Sequence, residues 1–178
     1  MKNVLELLER TAARLPRQTA FADQQCSYDY QTVVNIAGSV GSALAANGDR
    51  NCPVAVLMER GAPCLVTLMG VLYSGNFYVV LDPEMPAERV NKILRTLQPT
   101  ALICDEAHKD DPAGLDYDGK VYSAEALAAG QAQPELLQTV RRRMIDTDPA
   151  YAIFTSGSTG NPLSLIHISE PTRHSLIS

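Results

Sequence analysis

Between residues 53 and 104 three short apolar runs alternate with two stretches of helix length, and this alternation limits the folds open to the chain. Residues 53–58 (Pro-Val-Ala-Val-Leu-Met) are apolar throughout rather than at every second position. A continuous run of that length suits a strand covered on both faces, as in a parallel sheet. Residues 62–73 follow as an apolar helix, and Ser74-Gly75-Asn76 as a turn. Residues 77–81 (Phe-Tyr-Val-Val-Leu) read as a second strand, closed by Asp82-Pro83. Pro86 suits the first turn of a helix, which runs to Leu97 and stops at Gln98-Pro99. Residues 100–104 make a third strand. This order calls for a parallel sheet with right-handed crossovers. The predicted class is α/β, a mostly parallel sheet flanked by helices.

The flanking segments fit that plan. Val4, Leu5, Leu7, Leu8 and Leu15 lie mostly on one face at helical spacing, with Asn3 as N-cap and Pro16 as stop. Residues 19–22 and 25–27 read as two short strands around an Asp23-Gln24 turn. Ser27 is placed to cap a helix over 28–46, with Asp29 in its first turn and Asn47-Gly48 at its end. Gly38 and Gly41 inside that helix point to close packing against a neighbour. Residues 108–119 lack periodicity and read as a loop. A small strand at 120–122, helices at 124–129 and 135–143, and a polar linker at 146–149 follow.

Composition excludes several functions. The 178 residues are 46% apolar and 20% charged, ordinary for a globular domain with a core of fair size. The net charge of -5 argues against nucleic acid as a partner. The triplet Arg141-Arg142-Arg143 reads as a solvated helix end. Cys26, Cys52, Cys64 and Cys104 lack CxxC spacing, so they read as reduced, small apolar residues of a cytoplasmic protein and not as zinc ligands. Glu6 and Glu9 interrupt the N-terminal apolar stretch, which argues against a signal peptide. No apolar run is long enough to span a membrane.

The chemistry concentrates in residues 151–162. Tyr151-Ala152-Ile153-Phe154 reads as a short buried strand that opens into Thr155-Ser156-Gly157-Ser158-Thr159-Gly160. The glycines let main chain approach a ligand closely, and successive N–H groups can converge on an anion. Thr155, Ser156, Ser158 and Thr159 add four hydroxyl donors. By composition alone a Gly/Ser/Thr run is equally an ordinary surface loop. It is not a Walker A loop, because the glycines are too close and no Lys follows.

The order of residues says more. Tyr-x-x-x-Thr-Ser-Gly-Ser-Thr-Gly-x-Pro, here Tyr151 to Pro162, resembles the phosphate-binding signature of the adenylate-forming enzymes. These include the adenylation domains of nonribosomal peptide synthetases, acyl-CoA synthetases and D-alanine ligases. In that family the signature continues with Lys-Gly, but here Leu163 stands where the Lys belongs. Leu72 to Pro83 with Pro86-Ala87-Glu88-Arg89 resembles a second family element, Leu-Lys-Ala-Gly-x-x-Tyr-Val-Pro-Leu-Asp-Pro…Pro-Ala-Glu-Arg. Ser27-Tyr28-Asp29-Tyr30-Gln31-Thr32-Val33 resembles an earlier one, Thr-Tyr-x-Glu-Leu, whose end Tyr30-Gln31-Thr32-Val33 keeps only loosely.

The resemblance, which covers residues 1–162, implies the N-terminal part of the large domain of an adenylate-forming enzyme, truncated. The implied parent is an ATP-dependent ligase. A carboxylic acid, here expected to be an amino acid, attacks the α-phosphate of ATP, with Mg²⁺ on the phosphates. The acyl-adenylate then passes to the phosphopantetheine thiol of a carrier protein or to coenzyme A. Thr155, Ser156, Gly157, Ser158, Thr159 and Gly160 would hold the β- and γ-phosphates. No catalytic residue and no metal ligand of the family falls within this stretch, so the fragment itself is expected to be inactive. A start at Met1 mildly favours a stand-alone ligase or a first synthetase module. The alternative is a small self-contained α/β module that binds nucleotide or phosphate.

After Pro162 the resemblance ends. Leu163-Ser164-Leu165-Ile166-His167-Ile168-Ser169-Glu170-Pro171-Thr172-Arg173 resembles the conceptual translation of a transposase adapter used in DNA-sequencing libraries. Residues 163–178 are therefore expected to be a non-native tail on which the rest of the fold does not depend, although its Leu165-Ile166-His167-Ile168 run is strand-like by its apolar residues. His167 and His174 lie within it and are discarded as acid–base or metal candidates.

Overall fold

The computed structural model describes residues 3–156 and 162–168, with side chains through Phe154. Helix α1 (Leu5–Arg14) turns Leu5, Leu8 and Ala12 inward, and the Asn3 carboxamide oxygen accepts the Leu5 N–H at 3.1 Å. Strands β1 (Thr19–Ala22) and β2 (Ser27–Asp29) form an antiparallel ribbon. The second strand starts later than the expected 25–27. The Asp23 carboxylate accepts the N–H groups of Gln25 and Cys26, each at 2.8 Å, which holds both residues in the turn. Helix α2 (Tyr30–Ala45) is capped by Asp29, whose Oδ1 accepts the Thr32 N–H at 2.7 Å. Ser27 is not the cap, because it pairs with Ala22 in the ribbon. Gly48, at φ +83°, turns the chain out of α2.

The alternating core follows as expected: β3 (Pro53–Leu57), α3 (Ala62–Tyr73), β4 (Phe77–Leu81), α4 (Ala87–Leu97) and β5 (Ala101–Cys104). The segment read as a loop contains two single 3-10 turns, Glu106–His108 and Asp111–Gly114. Then come β6 (Lys120–Ser123), α5 (Ala124–Ala128), α6 (Pro134–Arg143), β7 (Pro149–Ser156) and β8 (Pro162–Ile168).

The sheet order is β6-β5-β3-β4-β7-β8. The first five strands run parallel, and β8 joins the edge antiparallel to β7. The strand-like run 165–168 of the tail thus lies within a strand. The physical reason is that the outer edge of β7 presents unpaired N–H and C=O groups, a template for any strand-prone run.

Both faces of the parallel sheet are covered. Val54, Val56 and Ile103 face α2, α3 and α5, packing with Val40, Leu68, Val71 and Leu127. Leu57, Val79, Leu81 and Leu102 face the other way, against Val90, Ile93 and Leu94 of α4. Each such fully buried aliphatic side chain stabilises by about 1.5–3 kcal/mol relative to exposure. Outside α2 and α3 a third cluster joins Leu5 and Leu8 of α1 to Val33, Ala37, Val66 and Leu72. Helices α2 and α3 meet through glycine, as expected for Gly41. A Cβ on Gly41 would sit 2.5 Å from the Tyr73 Cβ and 3.0 Å from the Gly70 carbonyl oxygen. Gly38 faces Ala132 and Leu137 instead. Cys64 and Cys104 are buried in the core, where burial pushes both thiols up, Cys104 to about 12.

Candidate functional site

Because five strands run parallel, their carboxyl ends, at Leu57, Leu81, Cys104, Ser123 and Ser156, share one edge of the sheet. In open α/β sheets ligands bind beyond that edge. Thr155 and Ser156 are the last two residues of β7 and reach it. Gly157, Ser158, Thr159 and Gly160 lie outside the described residues. The chain leaves the sheet after Ser156 and re-enters at Pro162, since these two residues pair across β7 and β8.

The strand that delivers the segment is anchored firmly. Tyr151 pairs with Tyr78 of β4 and the two rings stack, centroids 5.8 Å apart. Ala152 and Phe154 pack into the α4 side of the core. At its start, Asp148 accepts hydrogen bonds from Arg50, Asn51 and the Ile145 N–H, and these hold its carboxyl below the usual range. Two residues beyond the stacked tyrosines, Val80 and Ile153 remain 42% and 47% exposed. The helical cover therefore stops short of the sheet region leading to Ser156.

The Asp82-Pro83 element is structural at this edge. Asp82 accepts the Glu84 N–H at 3.0 Å and pairs with Arg60 at 2.5 Å, tying the end of β4 to the segment after β3. Glu88 pairs with Lys92 one turn on, at 3.4 Å.

The edge also holds two carboxylates outside residues 155–160. Asp105, after β5, accepts the Glu59 N–H at 2.8 Å and bonds His108 Nδ1 at 2.5 Å. That carboxylate holds the His108 imidazole above its ordinary value. Asp23 reaches from the ribbon to the first turn of α3 and accepts the Ala62 N–H at 2.7 Å. With the Gln25 and Cys26 N–H groups, this bond lowers its carboxyl to about 2. The signal available was that both follow short strands, which alone does not separate a ligand site from a turn.

Among the described residues no group of three or more His, Cys, Asp or Glu side chains is arranged to hold a metal ion. No described helix is long and apolar enough to cross a membrane. The sequence across 155–160 is free of carboxylates, and its first two residues end β7 at the carboxyl edge.

Residues 8–163 match the AMP-binding enzyme family. The chain belongs to that family. Pyochelin synthetase PchF of Pseudomonas aeruginosa is 35% identical over 148 residues, which are 83% of this chain and 8% of that protein. The nonribosomal peptide synthetase apmB of Penicillium brevicompactum is 28% identical over 163 residues, 91% of this chain and 7% of that one. The chain thus spans less than a tenth of the length of these two relatives. In fold it is similar to the nonribosomal peptide synthetase FmoA3 in its α-methyl-L-serine-AMP bound form, with a TM-score of 0.75 at 22% identity. That match covers 92% of this chain and 18% of the other. The AMP-binding family match carries the adenylate-forming reading over the self-contained module.

Proposed function

We propose that this chain is the nucleotide-phosphate-holding part of an ATP-dependent ligase that adenylates an amino acid and passes the acyl group to a thiol. The observation that carries the reading is the placement of Thr155 and Ser156 at the carboxyl edge of a parallel sheet, within the span matched by the AMP-binding family. Thr155, Ser156, Ser158 and Thr159 donate hydroxyls, and Gly157 and Gly160 leave main-chain N–H groups free to face the β- and γ-phosphates. Such donors fix the leaving pyrophosphate in place and stabilise charge as it develops. Mg²⁺ would supply charge neutralisation on the phosphates, and no described residue cluster of this chain would hold it. The thiol acceptor is the phosphopantetheine of a carrier protein or coenzyme A. An amino acid is favoured as substrate by the nonribosomal peptide synthetases among the relatives.

Residues 163–178 are read as an adapter-derived tail, with Leu163 in place of the phosphate-neutralising Lys. Sequencing the gene by a different library method tests this: an open frame running from Pro162 into Lys-Gly supports it, and an unchanged Leu163 overturns it. The function is tested by amino-acid-dependent ATP–pyrophosphate exchange. The 178-residue chain should be silent. Residues 1–162 continued by the remainder of a related adenylation domain should exchange, and silence there, with that continuation folded, refutes the proposal.

A further inference from the structure

A cavity of about 630 Å³ opens at the carboxyl edge between β3 and β5. That size falls within the range of small-molecule sites. It lies where the sheet order reverses. From β3 the chain crosses through α3 on one face to β4, then returns through α4 on the other face to β5. A crevice at such a switch point is where open α/β sheets bind ligands. β7 lies two strands from β3, about 10 Å away at the usual strand spacing. Among the described residues, none from β7 lines the cavity.

The lining sets the ligand chemistry. Ile36, Met58, Val66, Ala124 and Ala128, with the Tyr28 ring, give apolar floor and walls. The rim carries five carboxylates (Asp23, Glu59, Asp105, Glu106 and Glu125) and one guanidinium, Arg60. Arg60 is turned to Asp82, outside the lining. Asp105 faces His108, and Glu106 faces Lys109. The other three form no ion pair among the described residues, although the Glu59 charge adds to that of Asp105 in raising His108. Asp23 is held by main-chain N–H groups and the Cys26 thiol. Glu125 accepts the Glu106 N–H at 3.0 Å and the Ser123 hydroxyl at 2.9 Å. The Glu59 side chain makes no hydrogen bond or ion pair within the described residues. Neutral donors keep Asp23 and Glu125 ionised without cancelling their charge. A negative rim over an apolar floor attracts cations and repels anions.

We propose that this cavity is a second binding site, which takes an organic cation: a primary amine or guanidine carried on an apolar or aromatic body. The body lies on Ile36, Met58 and Val66, and the cationic head meets the unpaired carboxylates, Glu59 foremost. The assignment is independent of the adenylating function, because it uses neither β7 nor a nucleotide.

The test uses the full 178-residue chain with tyramine as probe, followed by amide and methyl chemical shifts. Two controls share its body, 4-ethylphenol without charge and 3-(4-hydroxyphenyl)propanoate with the opposite charge. Saturable tyramine shifts centred on Tyr28, Met58 and Ala124 are expected, with weaker binding of 4-ethylphenol and none of the propanoate. Glu59→Gln should weaken tyramine about threefold, as for one solvent-facing ion pair, while leaving the melting temperature unchanged. Ala128→Phe, which fills the cavity, should abolish binding. Should that variant fail to fold, Glu59→Gln and the two controls still decide. Equal binding of tyramine and 4-ethylphenol, no saturable binding to the folded chain, or an unaltered affinity in Glu59→Gln would overturn the proposal.

Discussion

Replacing Gly41 by Ala should lower the stability of the fold, although Ala is the better helix former. Gly41 lies within α2, away from both ends, so the exchange gains about 1 kcal/mol of helix propensity. Against that, the new Cβ would lie 2.5 Å from the Tyr73 Cβ, 3.0 Å from the Gly70 carbonyl oxygen and 3.2 Å from the Tyr73 carbonyl carbon. Two of these three atoms belong to the main chain of α3 and the third is attached directly to it, so no rotamer change relieves the clash. The two helices must separate, which loosens Val40 and Val71 between them and the sheet. Overpacking of this kind costs about 3 kcal/mol at the upper end of its usual range. The net loss is about 2 kcal/mol, or roughly 4–8 °C in melting temperature for a chain of this length. Thermal unfolding followed by far-ultraviolet circular dichroism measures it. Gly114→Ala is the control, since a Cβ there meets nothing within 4 Å. A Gly41→Ala protein that melts at or above the parent would refute the close approach of α2 and α3.

Asp29→Ala should cost about 1 kcal/mol through loss of the α2 cap, whereas Ser27→Ala should change stability by less than about 0.5 kcal/mol; urea unfolding of both separates them. Asp23 has a folded pKa of about 2, below its unfolded value, so its contribution is full above pH of about 4 and is lost as pH falls toward 2. The melting-temperature gap between parent and Asp23→Asn should therefore close over that interval. For His108 the sign is opposite: its folded pKa is raised by Asp105, so the stability it adds is present below the unfolded value and lost as pH rises through the folded one. A parent-minus-His108→Ala difference that grows with pH would contradict this. Replacing exposed Val80 and Ile153 by Thr should raise the soluble fraction on expression, measured by sedimentation of the lysate, because both lie on uncovered sheet surface.

The alternating core was legible because it rests on local pattern. The continuous run 53–58 predicted a strand covered on both faces, and Val54 to Leu57 are all buried. The apolar stretch 62–73 matches α3 residue for residue. The cap of α2 was misassigned because Ser27 and Asp29 are both good caps by type. The choice falls to Asp29 through the pairing of Ser27 with Ala22, which is tertiary information. The strand at Pro162–Ile168 contains the run 165–168, which is strand-like by its apolar residues whatever its origin, because β-pairing is made by main chain. At the carboxyl edge the Thr155-Ser156 segment stood out by residue order. The cavity between β3 and β5 did not, since its rim gathers Asp23, Glu59, Asp105 and Glu125 from four separate segments that only the sheet topology brings together.

The most direct measurement for the central claim is a titration of the isotopically labelled 178-residue chain with ATP, followed by amide chemical shifts and compared with adenosine. The account predicts shifts concentrated on the amides of Thr155 to Gly160. With one phosphate-holding segment and Leu163 in place of Lys, they should saturate no tighter than about 1 mM, roughly 4 kcal/mol. Adenosine, which lacks phosphates, should leave those amides in place. ATP shifts that avoid residues 155–160, or that adenosine reproduces in full, would contradict the assignment of this segment to the phosphates.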